Sequence, residues 1–387
     1  MNVSVQSIAL IVLTCLVLSE TALLGALQQT VVSERVLVSN SRTSLGTQAN
    51  LTASVRVGDL NADGNLDLVV ANGRHWPQQN FIFLNQGNAR FHQVWLLGTN
   101  QSTSYASEIA DMDGDGDLDV VVGNDMAPNL LFLNNGRAEF ENGIPFGHVS
   151  SVRSLTLSDL DSDGDVDVLV TCRGRQNYYC LNDGKANLGD PQPFGEESDS
   201  TIDVVVADLN HDGFNDLVLA NRDHQQNFVL LNDGKLGFGQ RVPFGTGKDE
   251  TRSVAVGDLN GDGHLDLALA NIGEPNQVLF GDSKGNFGDS TLLSESRNSS
   301  YAVAMIDMNK DQIPDLVFAN AGQPNAMYLN QGDGTRFVRS QFGLPEARTY
   351  GLAVEDFNGD QYPDVVTANS GALNWIYLNR QNRDFKK

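Results

Sequence analysis

Short apolar runs, each bounded by Gly, Asn or Asp, set the pattern of this chain. One unit shows it: Ala53 to Gly58 leads into an acidic loop, and Leu66 to Ala71 follows the loop. Phe81 to Leu84 then comes after a polar turn, and Phe91 to Leu97 ends the unit. Runs this short, rich in Val, Leu and Phe and punctuated by turn formers, predict four antiparallel strands per unit. Third-strand exits such as Asn134-Asn135-Gly136 and Asn232-Asp233-Gly234 suit hairpin turns. An Asn enters the third strand of every unit: Asn80, Asn129, Asn177, Asn227, Asn276, Asn325 and Asn374. Asn in such a turn bonds nearby backbone, so turn chemistry explains these better than a ring of ligands.

The unit recurs seven times at a spacing of 48 to 52 residues, and each copy carries the phrase Asp-x-Asn/Asp-x-Asp-Gly-x-x-Asp or a close variant. The copies begin at Asp59, Asp111, Asp159, Asp208, Asp258, Asp307 and Asp356. Seven such periods fill the chain from about residue 31 to 387, and little remains for a second domain. Sheets repeated radially bury both faces against their neighbours. The expected fold is therefore all-β, a seven-bladed β-propeller of four-stranded antiparallel blades. Phe385, two residues from the end of the sequence, aligns with Phe91, so blade 7 is short of most of its fourth strand. Val36-Leu37-Val38, stranded before blade 1, is expected to complete that blade and close the ring.

Oxygen-bearing side chains on alternate residues of a tight loop are what a hard cation needs, and calcium takes six to eight oxygens. Positions one, three, five and nine supply side chains, and position seven supplies its carbonyl. In blade 1 these are Asp59, Asn61, Asp63, Asp67 and Asn65, and in blade 2 Asp111, Asp113, Asp115, Asp119 and Asp117. Blade 3 offers Asp159, Asp161, Asp163, Asp167 and Asp165; blade 4 offers Asp208, Asn210, Asp212, Asp216 and Phe214. Blade 5 offers Asp258, Asn260, Asp262, Asp266 and His264. Blades 6 and 7 keep Asp307, Asn309, Asp311 and Asp315, and Asp356, Asn358, Asp360 and Asp364, but Gln312 and Gln361 replace the glycine that permits positive φ. Five loops thus keep the full calcium pattern and two depart from it, while blades 2 and 3, with five aspartates each, should bind best. An EF-hand would need Glu at position twelve, where Val70, Val122, Val170, Leu219, Leu269, Phe318 and Thr367 stand instead.

The acidic loops, together with Phe146-Gly147, Phe194-Gly195, Phe244-Gly245 and Phe342-Gly343, resemble the FG-GAP/VCBS repeat family. That family includes the propeller heads of integrin α-subunits and many secreted microbial proteins. The resemblance covers about residues 31–387 and implies a seven-bladed propeller with calcium in lower-face loops.

Net charge is −24, and 25 aspartates lie in the seven phrases. Fourteen positive charges from seven divalent ions would bring the net to about −10, so the acidity is concentrated in the loops. Nucleic acid is excluded as a partner because phosphate binding needs a basic surface. The apolar run Ile8 to Leu18, followed by small and polar residues, suits the core of a signal peptide over residues 1–26. Secretion is expected, with no later membrane span and a monomer in solution. Cys172 and Cys180 flank a turn of blade 3, where a disulfide and two unpaired thiols are equally compatible with the sequence.

Ligands of propellers commonly sit on the face opposite the acidic loops. Loops entering the first strands place Tyr105, Arg153, Arg252, Tyr301 and Tyr350 there. Turns between second and third strands add Arg74, His75, Trp76, Arg173, Arg175, Arg222 and His224. Arginine forks match carboxylate or sulfate, and Trp76 with the tyrosines suits sugar rings. The expected partner is an extracellular anionic glycan or a protein. The rival reading pairs the arginines locally with Asp199, Asp203, Asp223 and Asp249. A polysaccharide lyase using the histidines and tyrosines as acid–base groups is the enzymatic alternative; no nucleophile motif, catalytic zinc pattern or phosphate loop is present.

Overall fold

The second strand of every unit explains the architecture. Asp67–Asn72, Asp119–Asn124, Asp167–Cys172, Asp216–Asn221, Asp315–Asn320 and Asp364–Asn369 are buried at all six positions. The first six residues of Asp266–Glu274 are buried likewise. An unbroken apolar run such as Leu68-Val69-Val70-Ala71 fits a strand covered on both faces rather than one. A computed structural model describes residues 32–294 and 297–385. The segment expected to be a signal peptide lies outside the described residues.

The chain opens with β1 (Arg35–Val38) and β2 (Ser44–Leu45), and blade 1 follows as β3 (Thr52–Gly58), β4 (Asp67–Asn72), β5 (Gln78–Leu84) and β6 (Gln93–Ser102). Blades 1 to 6 are antiparallel four-stranded meanders of this kind, blade 7 has three such strands with β1 as its fourth, and no helix occurs among the described residues. Seven apolar clusters sit between the blades. One, for example, joins Val55, Leu68 and Phe83 of blade 1 to Phe357, Val366 and Ile376 of blade 7. Burial of seven interfaces in place of one central core is the physical signature of radial repetition.

β1 pairs antiparallel with the last strand, Asn374–Gln381, with Leu37 opposite Asn379. Leu37 is buried in the cluster between blades 6 and 7. Arg35 donates from Nε to the Asn379 side chain at 2.8 Å and lies over the Tyr362 ring at 3.6 Å. The short β2 also pairs with the last strand, a pairing the apolar pattern did not signal. Two expectations need correction. Phe91, read as the start of a strand, lies outside β6 and packs edge-on against Phe357, because it seals a blade interface. Blades 5 and 6 share one sheet, because the extended second strand of blade 5 bridges Ile272 to Ser299.

Cys172 and Cys180 are buried free thiols. Cys180 lies opposite Val168, four residues from Cys172 on the neighbouring strand, a separation of about 13 Å that no disulfide spans.

The entry asparagines do more than close turns. Asn80 accepts the Asn72 backbone N–H at 2.8 Å and donates to Ser104 of the next blade at 2.9 Å. Asn177 and Asn227 reach Thr201 and Thr251 in the same way, and Asn374 reaches Thr52 from blade 7 to blade 1. At the blade 2–3 interface the hydroxyl position is Val152, and Asn129 instead donates to the Tyr178 hydroxyl at 2.9 Å. One buried amide thus stitches each of these turns to its neighbour.

Candidate functional site

The acidic loops share one backbone. Positions four and six both take positive φ, at Ala62 (55°) and Gly64 (83°) in blade 1. Gln312 (71°) and Gln361 (72°) adopt the same conformation, so the two departing loops keep the backbone of the other five. The first aspartate accepts the backbone N–H of position six: Gly64 to Asp59 at 2.8 Å, Gln312 to Asp307 at 2.8 Å. The fifth-position carboxylate accepts the N–H of position seven, as from Asn65 to Asp63. The N–H groups of Asp117, Asp165, Phe214 and His264 are bound in the same way.

The ninth-position aspartates Asp67, Asp119, Asp167, Asp216, Asp266, Asp315 and Asp364 are fully buried. One oxygen of Asp67 accepts Leu60 N–H and the other accepts Asn85 N–H from the third-strand exit. Burial pushes Asp67, Asp119 and Asp167 up to about 6, and Asp315 and Asp364 up to about 7, against the backbone hydrogen bonds that hold the charged form. Each of these oxygens keeps a second lone pair for an ion. Ligand oxygens of Asp111, Asp113 and Asp115 lie within 4.8 Å of one another, as do those of Asp159, Asp161 and Asp167. An all-oxygen set at this spacing repels itself unless a cation or protons neutralise it, and its chemistry fits calcium.

Blades 6 and 7 differ in what touches the loops. Asn309 donates to Glu34 beside β1 at 2.7 Å, and Asp360 accepts Arg380 at 2.6 Å. Asn358 donates to Asp364, where the other blades use a backbone N–H. A built-in guanidinium already covers part of the blade 7 charge.

The opposite ends of the innermost strands surround a central channel of about 530 Å³. Each first–second strand pair carries a register shift, a β-bulge. The seven bulged residues are Ala53, Tyr105, Arg153, Ile202, Arg252, Tyr301 and Tyr350, and all line the channel. A bulge re-aims one side chain out of the pleat, and here the repeat does so once per blade. Six residues of extended strand put Tyr105 about 20 Å from Asp111, so the mouth and the acidic loops are at opposite ends.

Some predicted ligand residues are committed locally. Arg173 is bidentate to Asp223 at 2.6 and 3.0 Å, and this pairing raises the guanidinium and lowers the carboxyl. Arg222 pairs with Glu250 at 3.2 Å, which also receives the His224 backbone N–H. Arg153 meets Asp125 at 2.9 Å and lies over the Tyr105 ring at 4.5 Å. Of the four acids named for local pairing, Asp223 alone holds one of these arginines. Asp199 serves Arg241, and Asp249 caps the turn at Thr246. Asp203 lies deeper in the channel and accepts Val254 N–H, and Arg175 is exposed.

Arg74 and Arg252 are different. Neither side chain has an ion pair or hydrogen bond among the described residues, and both Nε atoms are buried without a partner. The Arg74 guanidinium lies 3.6 Å over Tyr350 and 5.9 Å from Tyr301; that of Arg252 lies 5.5 Å from Tyr301. Tyr301 and Tyr350 meet edge-to-face at 4.4 Å. Desolvation, then Arg74 and Arg222, push Arg252 down to about 10. His75 Nδ1 and the Tyr105 hydroxyl are 2.9 Å apart, and burial with Arg74 and Arg153 lowers the imidazole, keeping it neutral. Trp76 is 71% exposed beside them. Deeper in, Arg56 pairs with Glu108 at 2.6 Å. Asp125 and Glu250, which commit Arg153 and Arg222, were missed because nothing in the repeat marks them.

Seven four-stranded blades with acidic loops on one face define a repeat β-propeller. The sequence matches the FG-GAP-like repeat over residues 59–122, 111–170, 159–219, 208–269, 258–318 and 307–367, and the chain belongs to that family. Its fold is similar to that of BBS1N in complex with ARL6DN, in a crystal soaked with mercury (TM-score 0.61, 12% identity, covering 91% of this chain and 99% of that one). A crystal of the same complex soaked with lead gives a TM-score of 0.60 at 11% identity, covering 92% and 99%. No curated protein matches the chain.

Proposed function

We propose that this chain is an exported, calcium-stabilised propeller that acts as a binding module through the face opposite its acidic loops. The ligand is an anionic carbohydrate or an acidic protein surface. One observation carries the reading: two arginines without a carboxylate partner stand with three tyrosines around the channel mouth of an otherwise acidic protein. The propeller neighbour BBS1N is seen with a protein partner, which keeps a protein ligand in view. Calcium serves the scaffold; its chemistry when bound is to neutralise the clustered carboxylates and hold their loops rigid.

The test is retention of the calcium-loaded full chain on matrices carrying polyuronate, sulfated glycan, acidic peptide or neutral glycan. Retention on the acidic matrices alone is expected; passage through all of them would overturn the reading. The Tyr105–His75 contact favours a second reading, a lyase in which a tyrosine and a neutral histidine share proton transfer beside Arg153. Unsaturated product from an incubated polyuronate, read by ultraviolet absorbance, would establish it.

A further inference from the structure

We infer that Arg74 and Arg252, held against Tyr301 and Tyr350 at the channel mouth, form a carboxylate clamp that receives a uronate residue of an acidic polysaccharide. The inference rests on the binding-module reading and narrows it to two arginines. The bulge residue of blade 1 is Ala53, the smallest of the seven, and the turn of the same blade brings Arg74 over Tyr350 and toward Tyr301. Arg252 reaches the same Tyr301 ring from blade 5. Two guanidinium groups against one aromatic ring repel each other, and no acid offsets them at salt-bridge distance among the described residues. A buried donor left unpaired costs about 1–3 kcal/mol, more when charged, and a ligand carboxylate removes that cost.

The surrounding charges place the anion at the mouth rather than further in. Arg153 and Arg222 are held by Asp125 and Glu250. Asp203, which feels the charges of Arg56 and Arg252, and Glu108 also line the channel and repel a second negative group. The tyrosine pair and the exposed Trp76 present aromatic faces, which suit pyranose rings flanking the charged one. A planar guanidinium fork distinguishes carboxylate geometry better than an ammonium does.

The experiment is titration calorimetry of the calcium-loaded full chain with an oligogalacturonate, its methyl ester and a poly-glutamate peptide. Arg74→Gln with Arg252→Gln should weaken oligogalacturonate binding on the order of 100-fold, and Arg173→Gln with Arg222→Gln, which only frees the acids they neutralise, should weaken it by much less. The neutral methyl ester, which leaves the protein untouched, should bind wild type as weakly as the acid binds the first double variant. Equal binding of ester and acid overturns the clamp. Loss of binding in the second double variant with none in the first also overturns it, yet keeps an anion-binding upper face. Binding of the peptide alone replaces the glycan with an acidic protein. No binding of any probe removes both the clamp and the upper-face reading.

Discussion

Gln312 and Gln361 show how a loop keeps its shape against a residue's preference. Their φ angles, near 71°, lie in the region where a side chain costs about 1–2 kcal/mol relative to glycine. The corresponding glycines of blades 1 to 5 have open space around an added Cβ, so backbone strain and not a clash is the cost. Gln312→Gly and Gln361→Gly should each stabilise the protein by about 1 kcal/mol, measured as a shift in the denaturant midpoint. A destabilised variant would mean that the Gln side chains hold contacts that outweigh the strain. The departure from Gly was legible in the sequence; its outcome was not, because the hydrogen bond from Gln312 N–H to Asp307 repeats the glycine pattern regardless of side chain. The same holds for the arginines. Their clustering was legible, but Asp125 and Glu250 decide which of them are free, and those lie on other turns.

β1 is four residues long and joins the two ends of the described chain. It was expected from Val36-Leu37-Val38 because blade 7 lacked a fourth strand. Its anchoring by Arg35 was not visible, since Asn379 and Tyr362 are distant in sequence. Burial of Leu37 contributes about 1.5–3 kcal/mol, and the charged hydrogen bond of Arg35 a similar amount. A chain beginning at Leu45 should therefore lose about 3–6 kcal/mol and melt lower than one beginning at Val32. It should also self-associate, because the Asn374–Gln381 edge is left unpaired. Equal melting of the two chains would show that β1 is an ornament.

At the scale of the whole molecule, seven buried carboxylates link stability to pH and to metal. Their folded-state values are raised above the ordinary carboxylate range, to about 6 in blades 1 to 3 and about 7 in blades 6 and 7. Without an ion, the folded chain therefore holds protons that the unfolded chain releases between about pH 4 and 7. Stability of the ion-free protein should fall as pH rises through that window. In EDTA the melting temperature should be higher at pH 5 than at pH 7.5. Calcium needs the deprotonated form, so its stabilisation should be larger at pH 7.5, and scanning fluorimetry with and without it checks both signs. Melting curves indifferent to calcium at pH 7.5 would count against filled loops. The sequence by itself determined the repeat, the strand type, the blade number and the acidic loops, because strand periodicity and turn chemistry are local. Tertiary structure decided which arginines lack a counter-charge, which residue each bulge turns to the channel, and that the two cysteines stay apart. Those depend on which residues of neighbouring blades or strands come face to face, and a repeat spaced by 50 residues leaves that pairing to the packed ring.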